Sequence, residues 1–281
     1  ISTSETITAC GATPVFADAD AEDFNISVAD IEKRISTRTK VVMAVHLYGQ
    51  ACDLYALQRL CARHNLILME DCAQAHGARH NDKLVGTFGL ASSFSFYPTK
   101  NLGAFGDAGC MVSEDDELAI KLRRFVNHGG LTKDEHLIEG TNSRMDVLQS
   151  AILNVKLLYL DQWNDRRRAI ANQYQKRLKG LEAIQLPTET AGNHHVYHLY
   201  VIRAKKRNAL KTFLQSKGVE TMVHYQSALP FEPVYSRFNF RAHDFPVAFQ
   251  LQQEVLSLPC HPQLTESEVT YICDSINQFK W

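Results

Sequence analysis

The chain has 281 residues, enough for one large domain or two ordinary ones. Hydrophobic residues make up 45% and charged residues 22%, so a sizeable core can be buried; the formal net charge of -1, with no basic stripe, argues against nucleic acid or an anionic membrane as a partner. No apolar run approaches the roughly 20 residues that span a bilayer and no signal peptide is visible, so a soluble cytoplasmic protein is expected.

In chain order, Ser4 to Cys10 reads as a helix or the approach to one, and with Ile1 as first residue the chain looks cut at its front. Pro14 to Asp18 reads as a strand, Val28 to Ile35 as a helix, and Lys40 to His46 as a strand apolar on both faces. Leu54 to His64 is helical and Leu66 to Asp71 is a second buried strand; Ser92 to Tyr97 and Gly109 to Ser113 add two more. Strands without polar alternation, separated by helices, predict a mostly parallel sheet covered on both faces. A long helical pattern follows from Arg144 to about Leu181, with the charged run 165–168 as a solvated face. Beyond it, His195 to Ala204 and Gly218 to Tyr225 read as strands, and Asn208 to Lys217, Pro246 to Leu256 and Thr265 to Phe279 as helices. The expected division is 1–165 as a large domain and 166–281 as a small C-terminal α+β domain.

Seven scattered cysteines, without a C-x-x-C pair, support neither a zinc site nor a disulfide framework, and no metal is expected. The chemistry points elsewhere. Lys100 lies just past a strand, in a run that continues into Gly103, Gly106 and Gly109. Poor solvation at such a place lowers a lysine's pKa and makes its amine a nucleophile able to form a Schiff base with an aldehyde cofactor. Asp71 ends a buried strand twenty-nine residues earlier. Such a carboxylate either caps the next helix or pairs with a protonated pyridine nitrogen. Gln74 could meet the cofactor's ring oxygen, or simply start a helix. Ser95 could donate to a phosphate, or be the polar face of a strand. In open sheets ligands bind outside the carboxyl ends of the strands, where His46, Asp71 and the segment 97–100 all fall.

The segments Glu70-Asp71-Cys72-Ala73-Gln74-Ala75-His76-Gly77, Phe94-Ser95-Phe96-Tyr97-Pro98-Thr99-Lys100-Asn101-Leu102-Gly103 and Asn142-Ser143-Arg144-Met145-Asp146 resemble the DegT/StrS family of nucleotide-sugar aminotransferases. The resemblance runs over essentially the whole chain. It implies an α/β fold, the fold type I of transferases dependent on pyridoxal 5'-phosphate (PLP): a mostly parallel central sheet flanked by helices, plus the small C-terminal domain. It implies PLP as cofactor, with Lys100 as its Schiff-base lysine and proton shuttle, Asp71 on the pyridinium nitrogen, Gln74 on the ring hydroxyl and Ser95 on the phosphate. Asn142 matches an asparagine that reaches the phosphate of a neighbouring subunit, which implies a homodimer with shared active sites; a helix N-cap is its other reading. L-glutamate and a keto sugar on a nucleoside diphosphate would be the substrates, a 3-keto sugar rather than a 4-keto one. His76, Tyr97, His128, His224 and Tyr225 are weaker candidates for sugar-nucleotide contact, each otherwise a packed or loop residue, as are His46 and Tyr48.

Two departures stand out. The family's front segment, with its phosphate-cradling loop, is expected ahead of Ile1, and Gln226 to Phe231 replaces the family's proline- and histidine-containing stretch. The alternatives are another fold-type-I PLP enzyme, such as a lyase or desulfurase, and a truncated non-catalytic or regulatory homologue.

Overall fold

The computed structural model describes residues 1–281. The chain runs α1 (Ser2–Ala9), α2 (Val28–Arg34), β1 (Val41–Val45), α3 (Leu54–His64), β2 (Ile67–Asp71), the short β3 (Arg79–His80) and β4 (Lys83–Leu84), β5 (Ala91–Ser95), β6 (Gly109–Val112), α4 (Asp116–Phe125), α5 (Val147–Leu157) and α6 (Leu160–Leu178). It continues through β7 (Ile184–Gln185), β8 (Asn193–His194), β9 (Tyr200–Ala204), α7 (Arg207–Ser216), α8 (Pro246–Glu254), β10 (Val255–Leu258) and α9 (Glu266–Gln278).

The main sheet has the order β1-β2-β5-β6. The first three strands are parallel, and β6 returns antiparallel to β5. Helices begin where short polar side chains can take up free amides: Ser27 accepts from the Asp30 amide and Asp53 from the Ala56 amide. Asn65, in the left-handed conformation, ends α3 and turns the chain into β2. The buried faces of β1, β2 and α3 (Val42, Ala44, Leu54, Leu57, Leu60, Leu68) form one apolar core. A second sheet, β10-β9-β7, packs with α6, α7 and α9 around Tyr174, Tyr200, Ile202 and Leu210. Helix α6 spans the expected junction at 165: Leu160 packs with Leu102 and Leu153, whereas Ile170 and Leu178 belong to the second core.

Four expectations need correction. Pro14 to Asp18 forms no strand, since the only pairing nearby is a single bridge from Ala19 to Ile26, and Val15 is 66% exposed. The long helical pattern breaks at Leu158 and Tyr159 into α5 and α6. The stretch 218–225 contributes only a bridge from Met222 to Ser257. The expected helix at 246–256 stops at Glu254, where the fully buried Val255–Leu258 turns into the strand that pairs with β9. Helix α4 had no counterpart in the sequence reading; its residues are all at least partly exposed, so no buried stripe marks it.

Candidate active site

The site lies at the carboxyl ends of β1, β2 and β5. In β2, successive side chains point to opposite faces, so Glu70 and Asp71 have different surroundings. Glu70 points inward and is 1% exposed. Its carboxylate accepts from the amides of Gly86 (2.7 Å), Phe88 (2.7 Å) and Gly89 (2.8 Å), and from His46 Nε2 at 3.1 Å. The tautomer of His46 follows, because its Nδ1 accepts from the Cys52 amide and Nε2 must therefore carry the proton. Burial alone would raise the Glu70 carboxyl; the bonds from His46 and the backbone amides outweigh it and hold the group below the ordinary carboxylate range. With Cys72, these side chains bring metal-ligand atoms within 4.8 Å of one another. His46 and Glu70 are already spent on each other and on backbone amides, and burial pushes the Cys72 thiol well up. The cluster is a structural brace beneath the site, and His46, fully buried, is part of it rather than a substrate contact.

Asp71 points the other way and is half-buried. Its oxygens accept from the Ala73 amide at 3.0 Å and the Thr3 hydroxyl at 2.7 Å. Both partners are neutral, so the carboxylate stays available to a cation. The strand register sets Asp71 opposite Ser93 of β5. Two residues on is Ser95, whose hydroxyl accepts from the Tyr97 amide at 3.3 Å. The chain then makes a tight turn: the Lys100 amide donates to the Tyr97 carbonyl at 2.9 Å and the Ala104 amide to the Phe96 carbonyl at 2.7 Å. Only glycine fits at 103, since a Cβ there would run into the Pro98 carbonyl. The Lys156 ammonium holds the Gly103 carbonyl from α5. The turn leaves Lys100 half-buried. Burial lowers its pKa and the Asp71 carboxylate opposes this, with a net downward shift.

Gln74 is held in one orientation: its Oε1 accepts from the Tyr48 amide at 2.6 Å, and its Nε2 donates to the Tyr225 hydroxyl at 3.1 Å. Tyr48 has φ 60° and its hydroxyl donates to the His224 carbonyl. Gly49 lets this loop close on the segment 196–198, since a Cβ there would lie 2.9 Å from the His198 amide. His224 shares a hydrogen bond of 2.8 Å with the Ser257 hydroxyl. Burial and then the charge of Lys100 push His224 down, and burial with Asp71 raises the Tyr225 phenol despite the bond from Gln74. His76 is 3% exposed between Phe94 and Phe96, and neither ring nitrogen has a partner. Burial, then Lys100, brings its pKa down to about 4.

Asp71, Gln74, His76, Ser95, Lys100, His224 and Tyr225 therefore converge. Tyr97 is half exposed at the rim. Asn142 and His128 belong to a separate loop after α4, where Asn142 bridges Asn127 and His128 is exposed with φ 55°. Neither bonds to the cluster within this chain. Asn142 is no helix cap either, since α5 is preceded by Asp146. Thr3, Asn101, Asn164 and His198 escaped the sequence reading; a serine-threonine run opening α1 and an asparagine following Lys100 were the only signals.

The profile of the DegT/DnrJ/EryC1/StrS aminotransferase family matches residues 1–277. The chain belongs to this family. A pleiotropic regulatory protein of Geobacillus stearothermophilus is 42% identical over 99% of this chain and 75% of its own length. The dTDP-3-amino-3,6-dideoxy-alpha-D-galactopyranose transaminase of Aneurinibacillus thermoaerophilus is 43% identical over 97% of this chain and 74% of its own. Among solved structures, S. venezuelae DesV in complex with a ketimine intermediate superposes with a TM-score of 0.96 at 38% identity, covering 99% of this chain and 75% of that one. The fold expectation holds: this is the α/β aminotransferase architecture, with β6 as the one antiparallel strand of the main sheet.

Proposed function

We propose that this aminotransferase uses pyridoxal 5'-phosphate to move an amino group from L-glutamate to a keto sugar carried on a nucleoside diphosphate, with 3-keto sugars preferred. The observation that carries the reading is a half-buried lysine of lowered pKa beside a carboxylate with only neutral partners, at the ends of paired parallel strands, in a chain of this family. The name of the Aneurinibacillus relative supports the 3-amino preference.

The residues present fit the cofactor. Asp71, unpaired by any cation, would hold a ring nitrogen in its protonated form. Gln74 keeps Nε2 on the Tyr225 side, where it would donate to the ring oxygen, and the Ser95 hydroxyl is free to donate to phosphate. Bound there, pyridoxal phosphate supplies the electron sink that stabilises a carbanion next to an imine. With the amino donor bound, Lys100 would be the base, its Nζ receiving the donor's α-proton and handing it on. Burial lowers its pKa, which favours the neutral amine that a base requires. His224 and Tyr225 border the same space and would orient the sugar, while His76, with both ring nitrogens sealed in, would only help exclude water.

Asn142 would serve the site of a second copy, which makes the functional unit a homodimer. The apolar side chains of α5 support this: Val147 and Leu148 are 83% and 77% exposed, and β6 is exposed throughout, Met111 and Val112 included. Lys100→Ala tests the whole reading. It should fold, gain no new absorbance band with PLP, and show no transfer from glutamate to a nucleotide 3-keto sugar; steady turnover by that variant would overturn the assignment.

A further inference from the structure

We propose that Asn101 is a positioning residue that fixes His198 as a hydrogen-bond acceptor for the Lys100 side chain. The proposal rests on the reading of Lys100 as the reactive amine. Asn101 is the next residue in the chain and is 4% exposed. Its amide can sit only one way round. Nδ2 donates to the Val196 carbonyl at 3.1 Å and to Asn164 Oδ1 at 2.8 Å. A backbone carbonyl only accepts, so the nitrogen must be on that side. Asn164 is fixed by the same logic, since its own Nδ2 donates to the His76 carbonyl at 2.8 Å. That leaves Asn101 Oδ1 facing His198 Nδ1 at 3.0 Å. The oxygen only accepts, so His198 carries its proton on Nδ1 and has a lone pair on Nε2.

Nε2 has no hydrogen bond in the protein, and unlike the ring nitrogens of His76 it is not sealed from solvent. The backbone around it cannot drift. Arg167 donates to the carbonyls of Tyr197 (3.2 Å) and His198 (3.3 Å), and Gly49 packs on the His198 amide. Burial and then the charge of Lys100 hold His198 well below the ordinary histidine range, with Arg167, His76 and His224 acting in the same sense, so the ring stays neutral. The charged or titratable groups that bear on Lys100 are Asp71, His76, His198 and His224. Of the three histidines, His76 has both nitrogens sealed in and His224 has Nδ1 engaged by Ser257. His198 alone has its lone pair placed by a chain of forced hydrogen bonds that starts next to Lys100. An acceptor there steadies the ammonium form and gives the freed side chain a defined resting place.

The test uses the whole chain, labelled with nitrogen-15 histidine, and needs no turnover. Nitrogen NMR at about pH 6 to 8 should show His198 protonated on Nδ1 alone; a ring carrying its proton on Nε2, or on both nitrogens, overturns the proposal. Asn101→Ala should lose that preference. It should also lower the pH midpoint at which acetic anhydride acylates Lys100, followed by mass spectrometry, by roughly half a unit, or about threefold more neutral amine at a given pH. A turn that had merely loosened would solvate Lys100 and move the midpoint up. An unchanged or raised midpoint therefore overturns the proposal. His198→Phe fills the same space and accepts nothing; its midpoint should fall as well, and it decides the case if the Asn101 variant does not fold. If Lys100→Ala retained turnover while these shifts appeared, the functional reading would fall and the positioning role would stand.

Discussion

Glu70→Gln is the substitution whose cost can be worked most directly. The wild-type carboxylate accepts four hydrogen bonds and has 1% of its surface exposed, so no water can stand in. If the new amide keeps its oxygen toward Phe88 and Gly89, its NH2 group meets the Gly86 amide and the protonated His46 Nε2. Turning the amide over sets the NH2 against the Phe88 and Gly89 amides instead. His46 cannot relieve the conflict by moving its proton to Nδ1, which faces the Cys52 amide. At least two buried donors are left without an acceptor, at about 1–3 kcal/mol each. The expected loss is roughly 2–6 kcal/mol, with a fall in Tm of about 4–24 °C at about 2–4 °C per kcal/mol. Urea unfolding followed by tryptophan fluorescence measures it, with m-values compared so that only stability is scored. The sign of the acid dependence follows as well. The folded carboxyl is held below its unfolded value, so its stabilisation is present above the unfolded pKa and disappears as pH falls through the folded one. Wild type and variant should therefore converge in acid. A loss under about 0.5 kcal/mol at neutral pH, with unchanged m, would refute the account of the brace.

Asp71→Asn keeps the shape but cannot hold a cationic ring nitrogen; kcat for transfer from glutamate should fall by about 100-fold or more, and a drop under tenfold would remove Asp71 from that role. Thr3→Val deletes one of the two hydrogen bonds to Asp71, worth about 1 kcal/mol, and should cost roughly fivefold in kcat while leaving Tm nearly unchanged. His76 is buried neutral with its pKa at about 4, so the unfolded chain takes up a proton that the folded chain refuses as pH drops from neutral. His76→Leu should therefore lose about 2 kcal/mol less stability between pH 7 and pH 5 than wild type, and equal losses would contradict its burial as a neutral ring.

The residues proposed for the candidate site could be named from the chain because they sit within two short runs. Asp71 ends an apolar strand and Lys100 follows another, and parallel pairing of β2 with β5 brings the two strand ends together. What the sequence did not reveal depends on distant partners. Asn101 meets Asn164 and Val196 across 63 and 95 residues, and nothing periodic announces such a contact. Thr3 reaches Asp71 across 68 residues. The segment 255–258 has both faces covered, so its apolar run is equally compatible with helix and strand until β9 is in place. Pro14 to Phe16 shows the converse, apolar enough for a strand but without a neighbour to pair with.

The contact between Thr3 and Asp71 links chemistry to motion. Within residues 1–281, helix α1 buries only Ser4. A helix so lightly anchored opens at little cost compared with the core. Each opening takes the Thr3 hydroxyl with it and leaves Asp71 with the Ala73 amide alone, while β2 beneath stays paired on both sides. The carboxylate's hydrogen bonding then fluctuates with a local unfolding event rather than with the fold. Amide exchange in residues 2–9 would thus report how often the site's central acid changes its surroundings.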